Sequence, residues 1–302
     1  MTSRPDGRGT IVKRAGPVSA RVTQSVTIAA NWSGTSSQAK WLAGRIVSSL
    51  PGYGRLAHER AVVRPRPGTR HQMARALPDS LTMNTSVPSM HVIVLPGGGY
   101  AEHAPYEAEP VASWLGEIGL SASVFRYPLN VRHPLPLDAL RAEIGRRRAA
   151  GAQCIGLIGF SAGGHLAGLA ALAPGAAADE TVQFAVLGYA ITSRETETYR
   201  PSRLILLGED ASPPLRRSTS LGALVTPQSP PFFVWHTAED PYVPPEHTYR
   251  FASALAASHV PHAVHVFAHG PHGLGLARDA GETATWTTLA SAWIHEQASP
   301  AE

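Results

Sequence analysis

The chain has 302 residues, 43% of them hydrophobic and 16% charged, with a formal net charge of +4. That length holds one large α/β domain or two modest ones, and that composition excludes a disordered or fibrous chain. The single cysteine, Cys154, excludes an intramolecular disulfide and a cysteine metal cluster, and no apolar run approaches the ~20 residues of a membrane span.

Charge is unevenly spread. Residues 1–90 hold 13 of the 26 Lys and Arg but 3 of the 22 Asp and Glu, a balance of +10 against −6 for the remainder. The basic residues are dispersed rather than run together, so they read as a solvated surface, and no nucleic-acid partner is expected. Residues 1–85 are weakly patterned. "RVTQSVTIAA" and "HERAVVRP" have strand character. "SSQAKWLAGRIVSSL" places Trp41, Leu42, Arg45, Ile46 and Leu50 at helical spacing, and "RPRPGTRHQMARALPDSLTMNTSVPSM" reads as a linker. We therefore divide the chain into a basic extension, 1–85, which leaves open whether the first strands belong to it, and a regular domain, 86–302. "VTIAA" is too short for a signal peptide, which makes the cytoplasm the default location.

From residue 90 the pattern is regular. Strands are predicted at "HVIVL" ending on Leu95, "SASVFR" to Arg126, "CIGLIGF" to Phe160, "FAVLGY" to Tyr189, "FFVWH" to His236 and "AVHVF" to Phe267. Helices are predicted over 106–117, 138–148, 162–172 and 246–258. A terminal helix, "TATWTTLASAWIHEQ", puts Trp286, Leu289, Ala290 and Trp293 on one face. Strands alternating with helices give a mostly parallel sheet with helices on both faces, and reactive groups in such sheets gather at the C-terminal strand ends.

One such end carries Gly159-Phe160-Ser161-Ala162-Gly163. A Gly-x-Ser-x-Gly turn between strand and helix lifts a serine hydroxyl clear of the sheet. Small neighbours let the strand and helix pass closely, and the helix amides, that of Ala162 included, favour a developing negative charge. A glycine-flanked serine at a helix start also serves as a plain N-cap.

A nucleophilic serine needs a base, and the base needs an acid to orient it. "FFVWHTAEDPYVP" offers Glu239 and Asp240, and "AVHVFAHGPHGLGLA" offers His269 and His272, both just past predicted strands. Asp240 is preferred because the Asp-Pro-Tyr-Val-Pro turn would hold its carboxylate fixed. His272 is preferred because Gly270, Pro271 and Gly273 frame it in a rigid loop. His165 follows Ser161 by one helical turn and reads as a packing residue, and His236 reads as buried. "VIVLPGGGYAEHAP" supplies a second set of oxyanion donors: after a strand, glycines let main-chain amides turn toward a carbonyl oxygen. Gly98 and Gly99 are assigned there with Ala162. Tyr100 and Tyr189, each closing a strand-end loop, are candidate walls of a substrate pocket.

"LPGGGY", "GFSAGGHLA", "HTAEDPYVP" and "HGPHGLGLA" together resemble the α/β-hydrolase superfamily. More narrowly, they are similar to bacterial esterases of the acetylxylan-esterase or lipase-like kind, near the hormone-sensitive-lipase group. The resemblance runs from about residue 90 to 297, so 86–302 would be the hydrolase domain. It implies a Ser161–His272–Asp240 triad, an oxyanion hole at Gly98, Gly99 and Ala162, a small-molecule ester as substrate, and no metal or organic cofactor. Pro96 stands where the lipase group often has histidine. The alternatives are a peptidase of the prolyl-oligopeptidase type and a non-catalytic binding protein on the same scaffold. A homo-oligomer is left open.

Overall fold

The computed structural model describes residues 89–298. The strands and helix expected within 1–85 lie outside the described residues. Six strands form one sheet: β1 Met90–Leu95, β2 Ser121–Val124, β3 Cys154–Phe160, β4 Phe184–Gly188, β5 Phe232–Thr237 and β6 His262–Phe267. Their order is β2-β1-β3-β4-β5-β6, and every pairing is parallel. The strands read as near-continuous apolar runs because helices cover both faces of a parallel sheet. In β1, Ile93 and Leu95 join one core while Val92 and Val94 join the other, as a two-residue repeat requires.

Seven helices accompany the strands among the described residues. They are α1 Glu109–Glu117, α2 Leu135–Ala149, α3 Ser161–Leu172, α4 Arg200–Leu207, α5 Pro213–Ser218, α6 Glu246–Ala257 and α7 Trp286–Ala298. α2, α3 and α6 cover one face through Leu140, Ile144, Leu166, Phe251 and Leu255. α1 and α7 cover the other through Val111, Trp114, Trp286 and Ile294. Trp286 stacks on Trp235 of β5 at 4.7 Å between ring centroids. The buried stripe of α7 is Trp286, Ala290 and Ile294; Leu289, expected on that face, is exposed. A four-residue repeat from Trp286 stays on the sheet side, and Leu289 falls a third of a turn away from Ala290.

From β1 the chain turns outward to β2, then returns to the other side of β1 for β3 and continues outward to β6. The order reverses between β1 and β3, which opens a crevice at their C-terminal ends. α3 starts in that crevice and packs tightly. A Cβ on Gly163 would run into the carbonyl oxygens of Leu95 and Pro96, and one on Gly159 would lie 2.5 Å from the Gly163 carbonyl. Both obstacles are backbone and cannot swing aside. Gly163→Ala is therefore expected to cost about 2 kcal/mol or more, within the usual penalty for overpacking. Guanidinium unfolding curves of the two proteins check this; an unchanged midpoint would show that the crevice can widen.

Candidate active site

The tightness of that turn is visible in the backbone. Ser161 sits at φ +51°, in the left-handed region that L-residues enter only under constraint. Its side chain is aimed over the sheet edge rather than back along β3. The Nε2 atom of His272 lies 2.9 Å from Ser161 Oγ, and the His272 Nδ1–H donates to Asp240 Oδ2 at 2.7 Å. Ser161 follows β3, Asp240 follows β5 and His272 follows β6, so three strand ends contribute one side chain each.

Asp240 is buried and accepts four hydrogen bonds. Oδ1 takes the amides of Tyr242 and Val243, each at 2.9 Å. Oδ2 takes His272 and, at 3.2 Å, the Nε2–H of His236. That His236 proton is shared with the Val243 carbonyl at 2.9 Å, which leaves Nδ1 to accept from the Thr248 hydroxyl at 2.8 Å. His236 thus braces the carboxylate from behind. Burial pushes the Asp240 carboxyl upward, but the hydrogen bonds from His236, His272 and the Val243 amide, with the nearby His272 charge, outweigh it and hold the group well below the usual range.

The neighbouring pair behaves differently. His269 Nδ1 meets Glu239 Oε1 at 2.9 Å, yet both side chains are exposed, at 83% and 58%, and neither is bonded to Ser161. The same two loops therefore carry an inner acid–imidazole pair that reaches the serine and an outer pair that does not.

The glycine loop after β1 lies across the crevice. Gly98, at φ +116°, could not carry a side chain, since a Cβ would strike the Glu102 carbonyl; that carbonyl is held by the turn in which the Ala101 and Glu102 amides donate to Gly98 O. The amides of Gly98, Gly99 and Ala162 donate no hydrogen bond among the described residues. Gly98, Gly99, Ser161 and His272 line a common cleft of about 380 Å³. These positions suit the donors that a tetrahedral oxyanion needs.

The structure corrects the two tyrosines expected to wall this cleft. Tyr100 and Tyr189 are each 1% exposed and lie beneath it. Tyr189 packs edge-on to His272, 5.0 Å between ring centroids. The Tyr100 hydroxyl donates to His165 Nδ1 at 2.7 Å, because His165 Nε2 gives its proton to the Thr219 carbonyl at 2.8 Å. The guanidinium of Arg194 is buried beside them, over the Tyr100 ring, and donates to Ser202 Oγ at 2.8 Å. Burial lowers Arg194 to about 10, so it remains a cation, and no carboxylate pairs with it among the described residues. Burial, then the Arg194 charge, keeps His165 neutral.

The cleft's actual tyrosines are Tyr106, Tyr199 and Tyr242, all exposed, at 49%, 41% and 57%. Tyr199, with Pro201 and Ile205, belongs to the connection between β4 and β5. Glu107 is a further residue that the motifs do not announce: it lies buried against the glycine loop, its Oε2 accepting the Gly97 amide at 2.6 Å. Nothing in the spacing links them, because an acid in "YEAEP" reads as an ordinary helix-start residue.

Known proteins resemble this chain in sequence and fold. The BD-FAE family model matches residues 149–255. Endo-1,4-beta-xylanase B of Butyrivibrio fibrisolvens is 32% identical over 208 residues, 62% of this chain, and the chain spans about a third of that protein, 33%. The crystal structure of an acetyl ester-xyloside bifunctional hydrolase from Caldicellulosiruptor lactoaceticus is 37% identical with a TM-score of 0.65, covering 68% of this chain and 82% of that one. A carboxylesterase from Lactobacillus plantarum is 30% identical with a TM-score of 0.60, covering 73% of this chain and 90% of that one. The chain belongs to the α/β-hydrolase superfamily. No described helix is long and apolar enough to cross a membrane.

The Asp240 environment has a consequence for stability. A carboxylate whose folded pKa is depressed stabilises the fold above its unfolded pKa, near the ordinary 3.8, and loses that contribution as pH falls toward the folded value. The melting-temperature gap between the native chain and Asp240→Asn should therefore be wide at neutral pH and narrow progressively below about pH 4. Thermal melts across acid pH test this; a gap independent of pH would mean that the carboxylate's charge contributes nothing.

Proposed function

We propose that this chain is a serine carboxylesterase acting on small esters with short acyl groups. Ser161 is the nucleophile, His272 the general base and acid, and Asp240 the residue that orients the imidazole. The observation that carries this reading is the unbroken hydrogen-bonded path from Asp240 through His272 to Ser161 Oγ, with Gly98 and Gly99 lining the same cleft.

In the first half-reaction Ser161 Oγ attacks the ester carbonyl as its proton passes to His272 Nε2. The carbonyl oxygen becomes an oxyanion held by the loop and helix amides. The C–O bond to the alcohol then breaks, and the alcohol leaves with the proton from Nε2. In the second half-reaction His272 takes a proton from water. The resulting hydroxide equivalent attacks the acyl-enzyme, and the carboxylic acid departs as Ser161 regains its hydrogen. Asp240 stays ionised throughout and stabilises the imidazolium.

The alcohol we propose is a carbohydrate. Three exposed tyrosines around one cleft are costly to leave in water unless something stacks on them, and sugar rings present apolar C–H faces to aromatic rings. Tyr199 and Tyr242 contact each other edge-on at 5.9 Å, and Tyr242 stands 5.9 Å from the His272 ring, so this platform is next to the reacting atoms. A cleft of about 380 Å³ suits an acetylated sugar better than a long acyl chain. The relationship to an acetyl ester-xyloside hydrolase supports the same substrate class.

Two experiments test this. Ser161→Ala and His272→Ala should each lower p-nitrophenyl acetate turnover by on the order of 10⁴ or more, while His269→Ala stays within about threefold of the native rate. A Ser161→Ala protein within tenfold of native would remove the serine from the mechanism. For the sugar, Tyr199→Ala should raise KM for acetylated xylo-oligosaccharides by about tenfold while leaving p-nitrophenyl acetate kinetics nearly unchanged. Equal effects on both substrates would take the carbohydrate out of the proposal.

A further inference from the structure

Glu107 stands on the short helical turn Pro105–Glu107, between the glycine loop and α1. It is 1% exposed, and a buried carboxylate is tolerated only where its oxygens are satisfied. Both are: Oε2 accepts the Gly97 amide at 2.6 Å and Oε1 accepts the Tyr189 hydroxyl at 2.6 Å. The Tyr189 oxygen in turn accepts the Gly275 amide at 2.9 Å. Gly97 directly precedes the proposed oxyanion donors, and Gly275 lies three residues beyond His272. One carboxylate therefore joins the loop after β1 to the loop after β6, through a tyrosine that follows β4.

The direction of each bond favours the charged form. The only hydrogen on the Tyr189 oxygen goes to Glu107, since that oxygen already receives the Gly275 amide. A protonated Glu107 would bring a hydrogen of its own to partners that are both donors. The arrangement fits the carboxylate. No lysine or arginine pairs with Glu107 among the described residues. The titratable groups facing it are the phenols of Tyr106, Tyr127 and Tyr189, and His272. His272 is the one member of that set that acquires positive charge during acyl transfer.

We propose that Glu107 is a positioning residue that clamps the oxyanion loop to the His272 loop through Tyr189 and sets a second negative charge behind the imidazolium. The clamp rests on the esterase reading above and deepens it. Its two ends are the two groups that must keep register as the substrate carbonyl becomes tetrahedral: the oxyanion donors and the proton carrier. Burial raises the Glu107 pKa above the ordinary carboxylate range, and the Tyr189 and Gly97 hydrogen bonds with the His272 charge counter it only in part.

The test uses the full chain with Glu107→Gln and Tyr189→Phe, measuring kcat, KM, the pH profile of kcat/KM and the melting temperature with p-nitrophenyl acetate. Glu107→Gln should lower kcat by about tenfold or more with KM within about threefold, and should move the acid limb to lower pH, because the anion favouring a protonated His272 is gone. Tyr189→Phe keeps the Glu107 side chain but cuts the tie; kcat should fall by about threefold with KM unchanged. A Glu107→Gln protein that melts lower but keeps kcat and the acid limb would reduce Glu107 to a structural part and overturn the proposal. Should Glu107→Gln fail to fold, Tyr189→Phe decides: a folded variant with native kcat overturns the clamp, and a reduced kcat at native KM supports it. Native protein without esterase activity, or an active Ser161→Ala, would instead refute the underlying reading.

Discussion

The site depends on one steric constraint: the first turn of α3 lies so close to the end of β1 that no side chain fits between them. Gly163 rests against the Leu95 and Pro96 carbonyls, and Gly159 against Gly163 itself. That contact forces Ser161 to φ +51° and aims its hydroxyl out of the sheet. It also brings Pro96 and the three glycines after it alongside the serine, so that a Cβ at Gly97 would stand 3.1 Å from Ser161 Cβ. Ser161 and the glycine loop, the proposed nucleophile and oxyanion donors, are adjacent because β1 and β3 are adjacent and α3 cannot stand off from either. A looser crossing would free the serine to relax and would part it from the amides in the same movement.

Electrostatics is layered on that geometry. The two buried carboxylates near His272 are built differently. Asp240 touches it and is held as an anion by four donors, so its role is to fix one tautomer and one ring orientation. Glu107 makes no hydrogen bond to it and has two donors, so the proposed role is a tie between loops. Beneath the glycine loop sits the opposite sign, the Arg194 cation without a carboxylate partner. Under the proposed mechanism, two acidic groups stand near the imidazole that would gain positive charge, and a buried cation packs on Tyr100 at the end of the glycine loop. An isolated guanidinium in that position costs stability, and its retention is consistent with a preorganised field that need not rearrange during the reaction.

The parts legible in the sequence are those whose chemistry is local. The strands could be read because a parallel sheet covered on both faces demands unbroken apolar runs, and "CIGLIGF" and "FFVWH" have no other economical reading. Ser161 could be read because its turn needs glycines at fixed offsets, and Asp240 because Asp-Pro-Tyr-Val carries its own amide donors two and three residues on. Glu107 could not, since its partners lie 10 residues before and 82 residues after it. Tyr100 and Tyr189 were misplaced for a related reason. A tyrosine ending a strand can point up into the cleft or down beneath the loop, and the choice is made by His165 and Glu107, which are remote in sequence. The connection after β4 looked featureless because α4 and α5 are only 8 and 6 residues long, too short for a repeating apolar stripe to stand out.

That division separates what fixes the reaction from what selects the substrate. Serine, histidine, aspartate and the glycine amides all stand within a residue or a few residues of strand ends, where the sheet dictates position. The tyrosines that rim the cleft do not: Tyr106 leans on the His272 loop, its hydroxyl 2.8 Å from where a Cβ on Gly273 would stand, Tyr242 lies in the Asp240 turn, and Tyr199 precedes α4. Of the three, Tyr199 is carried by a connection that can change length without moving a strand or the Asp240 turn. Substitutions at the rim can therefore alter which alcohol is accepted while the acyl-transfer geometry stays fixed by β1, β3, β5 and β6. Substitutions at Gly159 or Gly163 cannot be confined in this way, because the same contact that seats α3 also sets the angle of Ser161.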